Sequence, residues 1–400
     1  MWVDRAKCVD APVSRGNLRV FPDVRSHSHA YSPWQGLSPN ENGRQVDVGF
    51  IAERGGFALA VLLLSVVVAG CGPTRNGSDE PYRSTEVRIS NGDITIGGTL
   101  TTPNRDGPFP AVVLVPGGGK QNRDESFAEH KPFLVLADAL TKAGYAVLRA
   151  DDRGVGATTG DKSEASYADL VSDVLAQISY LGDRADIDRA RIGVLGHSQG
   201  GSLAPLVAEK APDKVAFAVL MAGPAQTGCE VLKHQMRVQL QATGTSAADR
   251  LAASDAAVQT ECDLLRVGNF DQARKNARAA NQRLPEAEQA SDEDIDRAIN
   301  REYAAQATHD PEPALRALRI PVLALFGTKD VQVEAAINEP LMREFLAADP
   351  KSTVHTFEGA NHLMQAAETG MPDEYARIAT TIDPAVLDYL TGWLNRMLRN

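Results

Sequence analysis

Cysteine is scarce in this chain, with four in 400 residues at positions 8, 71, 229 and 262. No two form a C-x-x-C pair and no His/Cys spacing matches a zinc site, which excludes the usual redox and zinc modules. Basic charge is also short, at 41 Lys and Arg against 52 Asp and Glu, a net charge of −11. Without a basic stripe, a phosphate backbone is repelled rather than gathered, so nucleic acid is not an expected partner. The longest apolar run begins at Phe57 and extends about 13 residues, against roughly 20 for a comfortable bilayer span. What remains is a globular composition, 43% hydrophobic and 23% charged, at a length that suits one large domain with an insertion, or two domains.

Residues 1–50 hold scattered Pro, Ser, His and Arg without apolar periodicity, and read as an untranslated or disordered extension. The run that follows Arg54 has the length of a signal-peptide core. It ends in Val68-Ala69-Gly70-Cys71, which resembles a bacterial lipobox. The resemblance implies a lipoprotein signal peptide over 51–70, cleavage before Cys71 and a lipid anchor on its thiol. The protein would then be exported and membrane-anchored at the cell envelope. Signal peptides lie near the N-terminus, so translation is expected to begin at Val46 or Val48. A buried helix that happens to end in cysteine is the alternative. Residues 71–85 are polar and rich in Gly, Pro and Ser, and read as a flexible tether.

Two alternating runs, 86–90 and 94–101, flank Asn91-Gly92-Asp93 and predict a hairpin. The solid apolar run 110–116 predicts a buried strand that empties into Gly117-Gly118-Gly119. No G-K-[ST] follows, so this is not a phosphate-binding P-loop. A helix is expected over 131–143 with Gly144 as its stop, a strand over 145–150, and a helix over 165–181. The charges of Asp151-Asp152-Arg153 are expected to hold their loop beside the glycine cluster. Residues 191–195 form the next strand signal, followed by Gly196-His197-Ser198-Gln199-Gly200 and helix-compatible residues 202–208. A strand that turns into a helix at the serine of G-x-S-x-G is a nucleophile elbow. The strained turn demands small residues two before and two after the serine. An ordinary glycine-rich turn would share the pattern, so the context has to decide.

Further strands are predicted over 214–221, 320–326 and 353–357, and an amphipathic helix over 387–398. The roughly 95 residues between the first two of these strands are helix-like and too long for a bare loop, so a helical cap is expected over 224–318. The core would comprise 86–223 and 319–400, a mostly parallel sheet flanked by helices. Asp330 and His362 each follow one of the late strands.

Ser198, Asp330 and His362 therefore stand in the order Ser…Asp…His, each after its own strand, and here the chain resembles the α/β-hydrolases. It is similar to lid-bearing bacterial serine esterases that carry a P-G-G-G or H-G-S-G loop followed by N-R-D-E. In this chain those segments are Pro116-Gly117-Gly118-Gly119 and Asn122-Arg123-Asp124-Glu125, with Gly97-Gly98-Thr99-Leu100 near the start. The likeness covers about residues 86–400, with Pro116 where many relatives have His. It implies an α/β-hydrolase fold with a helical cap, and an enzyme that cleaves small carboxylic esters through an acyl-enzyme. Ser198 would be the nucleophile, His362 the base and Asp330 its orienting acid. The N–H groups of Gly118 and Gln199 would form the oxyanion hole. No cofactor or metal is expected.

Rival residues are less well placed. His355 lies within a strand, His309 and His234 in the cap, and Asp349 after a helix; the His197 side chain should point away from the line of attack, and no elbow surrounds Cys229. The same machinery could serve an aminopeptidase or a thioesterase, and a catalytically silent binding lipoprotein could keep the fold alone. Processing at Cys71 would remove Cys8 and leave Cys229 and Cys262 as an even pair in an oxidising compartment, where a disulfide is expected; two buried thiols are the alternative.

Overall fold

The computed structural model describes residues 81–397, except 243, 245, 284, 285, 287 and 288. The expected extension over 1–50, the expected signal peptide over 51–70, Cys71 and the expected tether up to residue 80 lie outside the described residues. Among those described, the apolar runs become eight strands: β1 (Tyr82–Asn91), β2 (Ile94–Pro103), β3 (Phe109–Val115), β4 (Ala146–Ala150), β5 (Ile187–His197), β6 (Phe217–Met221), β7 (Val322–Gly327) and β8 (Thr353–Phe357). They form one sheet in the order β1-β2-β4-β3-β5-β6-β7-β8. The β1–β2 hairpin joins antiparallel to β4, and every other pairing is parallel. The fold class expected from the sequence is therefore the one observed.

Helices α1 (Pro132–Lys142), α2 (Tyr167–Gly182) and α3 (Gln199–Lys210) connect the early strands. Six more, α4 (Gly228–Ala242), α5 (Ala248–Arg266), α6 (Phe270–Asn281), α7 (Asp292–Ala298), α8 (Arg301–Thr308) and α9 (Glu312–Ala317), form an insertion between β6 and β7. Then α10 (Ala335–Phe345), the helix before Asp349, precedes β8, and α11 (Pro384–Met397) closes the chain.

The strand period of two sorts the apolar residues between the two faces. On β3, Ala111, Val113 and Val115 join the cluster with α2, α3 and α10, while Val112 and Leu114 join the one with α1 and α11. Leu136, Leu140 and Leu390 are among the fully buried side chains, each contributing about 1.5–3 kcal/mol of burial free energy. The insertion has a smaller core of its own, Leu265, Ala273, Ile295, Ile299, Ala304 and Ala307. Within it, Cys229 of α4 and Cys262 of α5 are disulfide-bonded, with their Cα atoms 6.0 Å apart.

One boundary departs from the sequence reading. Residues 82–85 belong to β1, where Tyr82 pairs with Pro103 and Ser84 with Thr101, rather than to a tether. Residues 83–86 are exposed at the sheet edge, so no apolar alternation betrays the strand. Helix α3 begins at Gln199, directly after the serine, so the glycines that follow it are already helical.

Candidate active site

Strand β5 delivers the chain directly into α3 through Ser198, whose backbone sits at φ 52° and ψ −116°. A left-handed φ is strained for serine. It is held here because Ser198 N–H donates to Met221 O at 2.9 Å and Ser198 O accepts from Gly201 N at 2.8 Å. The turn also explains the glycines. A Cβ at Gly196 would lie 2.0 Å from Gly200 O, and one at Gly200 would lie 2.1 Å from Val115 O. Ser198 is partly exposed between two buried neighbours, His197 and Gln199.

The loops after β7 and β8 bring Asp330 and His362 together. His362 Nδ1 donates to Asp330 Oδ2 at 2.8 Å, and both residues are buried at 4% exposure. Asp330 Oδ1 accepts from the N–H groups of Gln332 and Val333 at 2.8 and 2.9 Å, so neither carboxylate oxygen is left wanting. The histidine loop is fixed by Asn361, whose side chain accepts from Leu363 N and Gln365 N and donates to Gln365 Oε1. The His362 ring rests against that of His197, their centroids 4.9 Å apart.

His197 does more than turn away, as the sequence reading had it. Its Nδ1 meets Glu125 Oε1 at 2.9 Å and its Nε2 meets the His362 carbonyl at 3.0 Å. Glu125 Oε1 also accepts from Gly117 N at 2.7 Å. One buried pair thus ties the glycine loop, the elbow and the histidine loop to each other. Burial alone disfavours the imidazolium, but the Glu125 carboxylate outweighs it and holds the His197 pKa above the ordinary value. Glu125 closes the N-R-D-E segment, so a signal for it was present in the sequence; its partner was not legible.

The charges after β4 hold the glycine loop as expected, except for Arg153. Asp151 takes a paired contact from Arg123, and Asp152 accepts from Gln121 N and Lys162 Nζ, each at 2.8 Å. Arg153 instead turns to α2 and pairs with Asp173, because that carboxylate lies within 2.6 Å of it. Lys162, which carries no sequence motif, reaches Gly117 O at 3.1 Å and Gly119 O at 2.7 Å.

Helix α8 of the insertion meets this region from the other side. Glu302, itself buried, accepts from Gln199 Nε2 at 2.5 Å. A Cβ at Gly118 would lie 3.2 Å from Gln306 Oε1, which places that amide against the glycine loop. The rival residues lie elsewhere. His355 is half-buried on β8 and stacks on Tyr389 at 4.0 Å. His234 is 3.3 Å from Glu334. His309 ends α8 against Tyr167, and burial lowers its pKa to about 4. Asp349 caps the turn before Lys351, and Cys229 is consumed by its disulfide. Among the described residues, no group of three or more His, Cys, Asp or Glu side chains is placed to hold a metal ion.

Comparison with known proteins agrees with this geometry. The model of the alpha/beta hydrolase family matches residues 112–378. Esterase EstD of Thermotoga maritima is 30% identical over 306 residues, covering 76% of this chain and 66% of that protein, so the chain spans just under two thirds of its length. Among solved structures, an esterase of Pyrococcus furiosus superposes with a TM-score of 0.50 at 15% identity, over 79% of this chain and 91% of that one. The alpha/beta hydrolase GrgF of Penicillium sp. sh18 gives the same TM-score at 14% identity, over 80% and 100%. These two likenesses bear on the fold. The family match spans the elbow and the loops of Asp330 and His362, and the chain belongs to the alpha/beta hydrolase family.

Proposed function

We propose that the protein is a serine hydrolase that cleaves small carboxylic esters through an acyl-enzyme. The observation that carries this is the strained Ser198 elbow, whose neighbour His197 packs on the His362 ring of a buried His362–Asp330 pair at 2.8 Å. A serine hydroxyl is a weak nucleophile until a base takes its proton during attack. His362 is that base. The Asp330 bond to Nδ1 directs the other ring nitrogen to the reaction and stabilises the imidazolium. Ser198 Oγ attacks the ester carbonyl carbon, and His362 then protonates the departing alkoxide. Water, activated by the same histidine, releases the acid and restores Ser198.

Gln199 N–H is the first of α3 and has no partner within the helix. Gly117 N–H is already taken by Glu125, so Gly118 N–H is the glycine loop's contribution. These two donors hold the oxyanion. The helical insertion acts as a lid, with Glu302 and Gln306 over the site. The proposed setting is the cell envelope, with the chain anchored through Cys71. The Cys229–Cys262 disulfide supports an oxidising compartment, and the esterase name of the Thermotoga relative supports the reaction class.

Fluorophosphonate labelling followed by peptide mapping tests the nucleophile, and modification at Ser198 is the expected result. A catalytically silent protein would remain unlabelled. A panel of p-nitrophenyl esters of increasing acyl length, run beside thioesters and aminoacyl amides, tests the class. Turnover of amides in preference to every ester would replace this reading with an aminopeptidase.

A further inference from the structure

Lys162 lies behind the glycine loop in a place that no motif announces. It is 2% exposed, and its ammonium makes three hydrogen bonds, to Gly117 O at 3.1 Å, Gly119 O at 2.7 Å and Asp152 Oδ2 at 2.8 Å. Three is the full donor count of a protonated lysine. Asp152 is itself anchored, accepting from Gln121 N at 2.8 Å while its own N–H donates to Gln121 O at 3.0 Å. The amine is therefore aimed by a largely buried carboxylate, its side chain 12% exposed, and spends its other two protons on loop carbonyls.

One of those carbonyls matters chemically. Gly117 C=O and Gly118 N–H are the two ends of a single peptide unit. A cation bonded to the oxygen withdraws electrons from the amide, which makes the N–H at the other end a stronger donor. It also fixes the plane of that peptide, and Glu125 fixes the preceding one through Gly117 N at 2.7 Å. We infer that Lys162, aimed by Asp152, is a positioning residue that orients and polarises the Gly118 N–H toward the oxyanion. The inference rests on the serine-hydrolase reading. Lys162 touches no substrate atom; it acts through the peptide, and only where negative charge develops on the substrate oxygen.

Such an effect belongs to the transition state and not to ground-state binding. Lys162→Met should lower kcat on a p-nitrophenyl ester by about 10–10²-fold, less than the ~10²–10³ of losing a donor outright, with KM changed less than about twofold. A trifluoromethyl ketone, which adds to the serine as an anionic tetrahedral adduct, should lose affinity by the same factor as kcat. Because Lys162→Met strands Asp152, the double variant Asp152→Asn/Lys162→Met is measured in parallel, with folding checked by circular dichroism. It should show the same matched loss. A folded variant with kcat within about twofold of wild type overturns the inference, as does a fall in kcat with unchanged ketone affinity. Wild-type protein that a fluorophosphonate does not label at Ser198 overturns the serine-hydrolase reading itself, and this inference with it.

Discussion

The Ser198 hydroxyl is a single oxygen on an already strained turn, so its removal should harm the chemistry without harming the fold. Ser198→Ala is expected to reduce kcat by about 10⁵–10⁶ while the melting temperature holds; a tenth of the activity remaining would place the nucleophile elsewhere. The Glu125–His197 pair calls for a different measurement, because both side chains are buried and each meets a loop backbone. Breaking a buried pair by removing one charge typically costs about 3–5 kcal/mol. The Glu125 carboxylate raises the folded-state pKa of His197 against the cost of burial. Its contribution is therefore fully present below the unfolded histidine value and fades as pH rises through the raised folded value. Urea unfolding of wild type and Glu125→Gln should accordingly differ more at pH 6 than at pH 9. Equal differences at both would show that His197 stays neutral.

At the level of the elements, the insertion is the part with the least core, and two features of α5 govern its stability. The disulfide joins α4 to α5 across a separation of 33 residues, which on the chain-entropy model is worth about 3.5–4 kcal/mol. In protein purified without reductant, Cys229 and Cys262 should resist alkylation even when denatured, and Cys229→Ser/Cys262→Ser should lower the melting temperature. The second feature lies one residue before Cys262: Glu261 accepts from the Tyr303 hydroxyl at 2.8 Å, and burial pushes its pKa up to about 7. The folded chain thus prefers the protonated acid. The cost of ionising it grows as pH rises from the ordinary carboxylate range through about 7. Glu261 keeps some contact with solvent, so Glu261→Gln should stabilise the protein by at most about 2 kcal/mol at pH 8 and by almost nothing at pH 4. A thermal-shift series across that range reads the difference.

For the whole molecule, the proposed anchor at Cys71 and the proposed hydrolase activity call for separate measurements. Cys71→Ser should move the protein from the membrane fraction to the soluble one with kcat on a short ester unchanged. Intact-mass analysis of the native protein should find a lipidated N-terminal cysteine, and a peptide from residues 1–45 would sink the proposed start of translation.

The hydrophobic pattern by itself determined the layers of this protein. Runs such as 110–116 fit a strand covered on both faces, as in a parallel sheet between two layers of helix, and the order of the strand-end residues Ser198, Asp330 and His362 followed from the same pattern. Glycines two before and two after Ser198 announced the elbow because backbone carbonyls leave no room for a Cβ there. Local signals stop where partners are distant in the chain. Residues 82–85 read as tether because an edge strand exposes both faces, and only pairing with residues 100–103 makes them β1. His197 met Glu125 across 72 positions, and Lys162 met Gly117 across 45. Gln199 met Glu302 across 103. A buried polar group must find a partner, but spacing along the chain does not say which one. Those choices, which frame the glycine loop and seat α8 against the elbow, were decided only when folding brought the loops at the carboxyl ends of the strands to one edge of the sheet.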